Sequence, residues 1–415
     1  MATDLDRLPL SGIIRIRDMM FGLKRPYRLD QGDISFDTPA PIKAAIKRAV
    51  EDNQTHYVQT GGLPRLRELL AEKLRTVNRI PIASPDEVII TAGGMHGLYM
   101  LSLALFDPGD EVILPDPVWP ATTGHILNAG AVAVPCALRP SLDWRLDPDE
   151  LASLVTPRTR AVLLNSPHNP TGGVLTSDDL QAIARIAAQH NLWIISDEAY
   201  EDIVYSDVQG HPAPHPVGHP SAATAPGIPA RRSLAALPGM YDRTVPVYTF
   251  SKSFAMTGLR LGYLAVKNQV VRSRILKLVG LTASNVSSVI QYGAIGGLEA
   301  GQAWIPAFRH ELQARRDMFY EGLETLRGLL TGTPPKGAFY AFLKIDPAWR
   351  PPEGSISTAS LSWSFVEHVI ARTEVGCIPG IDFGGAGEGY VRFCFSRSRE
   401  ELQGAIEALR TGLRT

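Results

Sequence analysis

Thr249-Phe250-Ser251-Lys252, continued by Ser253-Phe254-Ala255-Met256-Thr257-Gly258-Leu259-Arg260-Leu261-Gly262-Tyr263, closes an apolar run that begins at Val245. Residues 245–250 predict a buried strand, because parallel strands covered on both faces read as unbroken apolar runs. A lysine at the end of such a strand, flanked by hydroxyls, is largely withdrawn from water. Desolvation and neighbouring cations lower its pKa and free the amine to form a Schiff base with an aldehyde. Arg260 and Thr249 add a cation and a hydroxyl, the groups that bind a phosphate ester. Taken alone, the same stretch also suits a structural lysine.

Outward from this stretch, segments of helical period alternate with short apolar runs. Residues 41–53 and 63–77 predict helices, and 87–91, 111–115, 131–136, 161–165 and 192–196 predict strands. That alternation is the signature of the α/β class with a mainly parallel sheet. After about residue 300 the pattern changes to a long helix over 303–330, an aromatic run at 338–343, a helix over 360–372 and a strand over 390–395, which together predict a smaller α+β unit. A chain of 415 residues exceeds what one core supports. The expected division is a large domain over 41–300 and a small one built from 1–40 and 301–415. Residues 208–232 are dense in Pro, Gly and Ala and carry His211, His215 and His219. They are expected to form a surface loop, since a metal tract would call for accompanying carboxylates or cysteines.

Further clusters fall at the ends of predicted strands, where open α/β sheets place their ligands. Asn165-Ser166-Pro167-His168-Asn169-Pro170-Thr171-Gly172 follows the strand over 161–165. Asn169, ahead of a proline, is biased towards extended backbone, although a plain Asn-Pro turn accounts for it too. Ser196-Asp197-Glu198-Ala199-Tyr200 puts Asp197 at a strand end, where a carboxylate is costly without a cationic partner. Tyr200 shares its face if a helix starts here; an acidic helix N-terminus with a packed tyrosine is the competing reading. Thr91-Ala92-Gly93-Gly94-Met95-His96-Gly97 runs from a strand through glycines into a helix, whose free amides bind phosphate. Trp119, between prolines in Pro117-Val118-Trp119-Pro120, either stacks on a planar ring or packs in the core.

In this order and at these intervals, the clusters resemble the class I and II aminotransferases of the fold type I pyridoxal-phosphate (PLP) enzymes. Leu29-Asp30-Gln31-Gly32-Asp33, Asp37-Thr38-Pro39, Tyr57-Val58-Gln59-Thr60-Gly61-Gly62 and Tyr390-Val391-Arg392-Phe393 extend the likeness over most of the chain. The resemblance implies a mainly parallel seven-stranded sheet between helices in the large domain, a smaller α+β domain, and a homodimer with active sites at the subunit interface. It implies that Lys252 holds PLP through a Schiff base and then serves as general base. Asp197 would pair with the pyridine nitrogen, Asn169 and Tyr200 with the ring oxygen, and Trp119 would stack on the ring. The amides of Gly94 and Met95, with Thr249 and Arg260, would hold the phosphate, and the partner subunit's Tyr57 would reach it. Arg392, assisted by Gly32 and Asn169, would clamp the substrate α-carboxylate.

The activity so implied is ping-pong transfer of an amino group from an L-amino acid to a 2-oxo acid through PLP and pyridoxamine phosphate. Aspartate-specific enzymes of the animal type carry a second arginine in a segment that here reads Thr282-Ala283-Ser284-Asn285-Val286-Ser287-Ser288. Without that arginine the chain looks closer to the prokaryotic aspartate/aromatic branch, with aspartate or an aromatic amino acid and 2-oxoglutarate as expected substrates. A PLP-dependent carbon-sulfur lyase shares the Lys252, Asp197 and Arg260 framework and is the alternative. A PLP-binding regulator would need a DNA-binding module, and neither a helix-turn-helix pattern nor a basic stripe precedes the helix at 41.

Composition narrows the remaining classes. Lys+Arg 41 against Asp+Glu 42 leave a net charge of -1, no global field for nucleic acid or acidic membranes. No apolar stretch approaches the roughly 20 residues that span a bilayer, and residues 1–7 lack the basic and apolar regions of a signal peptide. Cytoplasmic residence is the default expectation. Cys136, Cys377 and Cys394 are widely separated in apolar surroundings, which predicts buried free thiols and neither a metal site nor a disulfide framework.

Overall fold

The computed structural model describes residues 12–205, 233–352 and 359–413; the segment over 208–232 with its three histidines lies outside the described residues. Seven strands, β1 (Val88–Thr91), β2 (Glu111–Asp116), β3 (Val132–Ala137), β4 (Thr159–Asn165), β5 (Trp193–Asp197), β6 (Thr244–Thr249) and β7 (Gly262–Ala265), form one sheet in the order β1-β7-β6-β5-β4-β2-β3. β3, β2, β4, β5 and β6 run parallel, and β7 runs antiparallel to both its neighbours. This is the α/β fold expected, with a mainly parallel sheet. Side chains alternate across it with a period of two. Ile89, Val112, Leu163, Ile195, Val247 and Leu264 enter one core. Val88, Ile90, Tyr248 and Tyr263 enter another, and Ile113, Val162, Leu164 and Ile194 a third.

β7 has no counterpart among the predicted strands. Four residues opening on a glycine carry too little period to register, and tertiary packing decides them. A Cβ on Gly262 would stand 2.7 Å from the carbonyl carbon of Gly93 and from the Tyr248 oxygen, so only glycine lets β7 and the Gly93 turn approach.

A second sheet holds β8 (Leu330–Thr331), β9 (Tyr340–Ile345), β10 (Ile378–Pro379) and β11 (Tyr390–Cys394), antiparallel in the order β10-β11-β9-β8. Its core joins Ile16, Met20, Leu29 and Ile34 from the start of the chain to Leu312, Phe319, Phe365, Phe393, Leu402 and Leu409. The helix expected over 303–330 is shorter than that: it spans Trp304–Gly322, gives way to a 3-10 turn at Glu324–Leu326, and releases Leu330 and Thr331 to pair with Ile345 and Lys344. Gly322 and Gly328 weaken the helix, and the ladder to β9 takes over its far end. The aromatic run at 338–343 enters the sheet only at Tyr340, since Ala338 is left-handed with φ 55. No described helix is long and apolar enough to cross a membrane. Cys136, Cys377 and Cys394 are free and buried, as their surroundings predict.

Candidate active site

Because the central strands are parallel, their C-terminal ends lie along one edge, and each delivers one chemical residue there. β4 ends at Asn165, paired with Asp197 at the end of β5; β6 ends at Thr249, opposite Gly262. Lys252, expected at the strand end itself, stands in the turn three residues after β6. No helix begins at Tyr200 either: the chain makes a tight turn, closed by the bonds from Glu201 N to Glu198 O (3.1 Å) and from Ile203 N to Tyr200 O (2.8 Å). That turn still directs the Tyr200 ring to the side of Lys252, whose Nζ lies 5.9 Å from the ring centroid.

Lys252 Nζ donates to the Gly32 carbonyl at 2.5 Å and sits 5.5 Å from the Phe339 ring. Burial lowers its pKa to about 8; Arg392 and Arg260 push the same way, and Asp33 opposes them. Asp197 is pushed up to about 6 by burial, held back by the amide of Ala199 and the charge of Lys252. The site thus contains an amine and a carboxylate whose charged states both lack full solvation, a combination that invites an aldehyde for the first and a cation for the second.

The Asn169 amide lies 3.5 Å from the Tyr200 hydroxyl, and its Oδ1 accepts from Arg392 Nη1 at 3.1 Å. The peptide between Asn169 and Pro170 is cis. Arg392, on β11 and only 2% exposed, donates through Nη2 to Asp30 O at 2.7 Å. Its guanidinium is flanked by the rings of Tyr340 and Phe383, at 4.6 and 4.8 Å. Nε has no partner, and among the described residues no carboxylate pairs with this buried cation. An unpaired buried guanidinium is costly; a bound carboxylate would neutralise it.

The phosphate-binding expectation maps onto a single corner. The helix Gly93–Leu105 opens with Gly93 at φ +85. A Cβ on Gly93 would lie 2.6 Å from the Arg260 guanidinium, and one on Gly94 would lie 3.6 Å from Thr249 Cβ. Arg260, exposed and itself left-handed at φ 55, is fixed by Nη1 donating to Thr257 O at 2.7 Å. Thr249 Oγ1 bonds Ser251 Oγ at 2.9 Å. Free helix amides, a hydroxyl and a cation around glycines that leave room are the components of a phosphate cradle, so these residues fit the phosphate of PLP. Met95 is 44% exposed beside them.

Trp119 caps the helix Pro120–Asn128 that follows β2, at the same edge of the sheet. Tyr57 is not brought to the others. It is 88% exposed and borders a surface groove with Thr55, His56, Asn285, Ser287 and Ser288.

Tyr340 belongs to the site and escapes the sequence reading, which registers it only as part of an aromatic strand. Its hydroxyl is 2.8 Å from that of Tyr200, and it occupies the space a Cβ on Gly32 would need. The glycine at 32 and the aromatic at 340 are thus one feature, visible only when β9 is laid beside the segment from 29 to 33.

Residues 25–409 match the family described as aminotransferase class I and II. The chain belongs to this family. The aminotransferase is 35% identical to an aspartate aminotransferase of Pyrococcus abyssi, over all of this chain and 98% of that one. It is 34% identical to an aromatic-amino-acid aminotransferase of Thermococcus litoralis, over 97% of this chain and 96% of the other. Among solved structures, the aspartate aminotransferase from Thermus thermophilus with maleate superimposes with a TM-score of 0.86 at 30% identity, covering 100% of this chain and 99% of that one. The protein is therefore a PLP-dependent enzyme of the fold type I class that moves an amino group from an amino acid to a 2-oxo acid. Its relatives support that reading over the carbon-sulfur lyase and the PLP-binding regulator.

Proposed function

We propose that the enzyme takes aspartate or an aromatic amino acid as donor and 2-oxoglutarate as acceptor, with each site residue in the role its surroundings suit. The observation that carries this reading is Arg392, a buried guanidinium anchored through both Nη atoms, with Nε unpaired, against the aromatic faces of Tyr340 and Phe383. Such a cation binds the α-carboxylate common to every donor and acceptor, while Gly32 leaves room and Asn169 orients the fork. The names of the relatives support the choice of substrates.

In this proposal Lys252 holds PLP covalently, Asp197 faces the pyridine nitrogen, Asn169 and Tyr200 bond the ring oxygen, and Trp119 covers the ring. Gly94 and Met95 amides, Thr249 and Arg260 hold the phosphate. PLP, when bound, supplies the electron sink that accepts the charge left as the Cα proton departs. Arg392 fixes the substrate so that the Cα–H bond faces Lys252. Once the substrate's amino group has taken its place, the freed Lys252 amine, with a pKa near 8, would take that proton at Nζ and hand it back two atoms along, across the nitrogen. Asp197, ionised above about 6, keeps a proton on any base it faces. Donor and acceptor use the same Arg392 and so bind in turn, and because the cofactor would keep the amino group between them the kinetics are ping-pong.

A dimer is part of the proposal, with the partner subunit's Tyr57 completing the cradle; its 88% exposure supports that role. Cytoplasmic residence is supported by three free thiols. The division into a large domain over 41–300 and a small one from 1–40 and 301–415 is supported by the separate sheets and cores. The test is a single-turnover titration of the PLP form with aspartate, glutamate, phenylalanine and alanine, followed by absorbance. Conversion to the pyridoxamine form with aspartate or phenylalanine, and its reversal by 2-oxoglutarate, are expected; no conversion with any of the four, together with pyruvate, ammonia and a thiol released from an S-alkylcysteine without any acceptor, would overturn the reading in favour of elimination.

A further inference from the structure

The residue before the phosphate-binding helix is alanine. Ala92 stands at the N-cap position with φ -76 and ψ 62 and has no side chain to satisfy a free amide of the first turn. Helices that begin this way are less stable than those with a capped start. The deficit matters more here, because the amides that follow are those facing the cofactor phosphate. His96, one turn into the helix, reaches back: its Nδ1 accepts from the Ala92 amide at 3.1 Å. This stands in for the reciprocal half of a capping box, made by an imidazole one position beyond the usual glutamate. The other ring nitrogen, Nε2, lies 3.0 Å from Thr282 Oγ1, and Thr282 Oγ1 donates to Leu278 O at 2.7 Å.

The donor and acceptor directions of this chain are fixed by its ends. A backbone N–H only donates, so Nδ1 carries no proton. A neutral imidazole then carries its proton on Nε2, which can donate it to Thr282 Oγ1 while the threonine hydroxyl reaches Leu278 O. Burial, which lowers the pKa of the ring, favours that neutral state. Thr282 lies in the last turn of the helix Gln269–Ala283. The start of the phosphate-binding helix and the end of the helix Gln269–Ala283 are tied together through one imidazole.

We propose that His96 is a positioning residue for the cofactor phosphate, holding the Gly93 turn in its binding conformation by accepting from Ala92, with Thr282 selecting the tautomer that can do so. Glycine at 93 and 94 gives the turn its shape and also leaves it floppy; His96 removes that freedom. This inference rests on the assignment of the Gly94 and Met95 amides, Thr249 and Arg260 to phosphate.

The experiment is PLP binding to the resolved apoenzyme, titrated by absorbance, for wild type, His96→Phe, His96→Asn, Thr282→Val and Arg260→Gln. Phenylalanine keeps a ring and removes the acceptor; asparagine removes the ring and keeps an acceptor where Nδ1 was. The Kd for PLP should rise about tenfold in His96→Phe, the worth of one net hydrogen bond in a binding site, and stay within about twofold in His96→Asn. Thr282→Val should fall between them. Selective 15N-histidine spectra of the wild type, which need no variant to fold, should show His96 protonated at Nε2 only. A His96→Phe enzyme that binds PLP like wild type, a His96→Asn enzyme no better than the phenylalanine variant, or a proton found on Nδ1 would each overturn the role of His96. Failure of Arg260→Gln to weaken PLP binding would instead overturn the phosphate assignment beneath it.

Discussion

Replacing Arg392 with lysine tests the site at its best-defined contact. The guanidinium reaches Asn169 Oδ1 at 3.1 Å and Asp30 O at 2.7 Å, which sets the plane in which Nε and the remaining Nη hydrogens meet a carboxylate. Lysine keeps the charge but supplies one point of contact, so one arm of the bidentate pair is lost, and one of the two anchoring oxygens is left buried without its donor. A hydrogen bond to a charged group contributes about 1.5–3 kcal/mol, and an unsatisfied buried acceptor costs about 1–3 kcal/mol. Taking the lower half of each range gives about 2.5–4 kcal/mol, a fall in kcat/KM of about two to three orders of magnitude. The assay measures each half-reaction separately under single-turnover conditions. Donor and acceptor should lose similar factors, because both present an α-carboxylate, while PLP affinity stays within about twofold. Amino acid amides, lacking the charge, should lose far less than the acids. A loss below about fivefold, or an equal loss for acids and amides, would refute the assignment of Arg392 to the carboxylate.

Other consequences concern the titrating pair and the aromatic contact. Lys252 has a pKa near 8 against the ordinary 10.5, so PLP capture by the apoenzyme should accelerate with pH through a midpoint near 8. A midpoint above about 10 would show that the amine is not desolvated. Between those two values the unfolded chain binds more protons than the folded one, so apoenzyme stability should rise with pH in that window, and Lys252→Met should abolish the slope in denaturant titrations. Asp197 is opposite in sign: its folded pKa near 6 lies above the ordinary 3.8, so apoenzyme stability should fall as pH rises from about 4 to 6, and Asp197→Asn should flatten that limb. Tyr340→Phe removes the 2.8 Å contact to Tyr200 and should lower kcat about fivefold, the worth of one net hydrogen bond, while shifting the absorbance maximum of bound PLP; an unchanged spectrum would place Tyr340 outside the cofactor's hydrogen-bond network. Mixing Lys252→Ala with Tyr57→Ala subunits should restore activity above that of either variant alone if the sites are shared across a dimer, and no gain would count against the partner subunit's Tyr57.

Period and order along the chain determine much of this protein. The apolar runs that became β2, β4, β5 and β6 are legible because a parallel strand buried on both faces has no polar alternation to hide it, and the residues at their ends are legible because parallel strands expose all their C-termini at one edge. Asp197 ends β5, and Asn169 and Lys252 stand in the turns after β4 and β6, while the roles of these residues and of Arg260 come from the resemblance to the family. What stayed hidden depends on approaches between distant segments. β7 exists because Gly262 lets it lie against the Gly93 turn; the helix from Trp304 stops at Gly322 because β9 pairs with Leu330; Tyr340 enters the site because Gly32 vacates the space its hydroxyl fills; and His96 acquires its role only when Thr282 is folded beside it. Local sequence encodes the conformations each segment prefers, whereas contact between segments far apart in the chain depends on which surfaces fit, and those fits exist only after the sheets have packed.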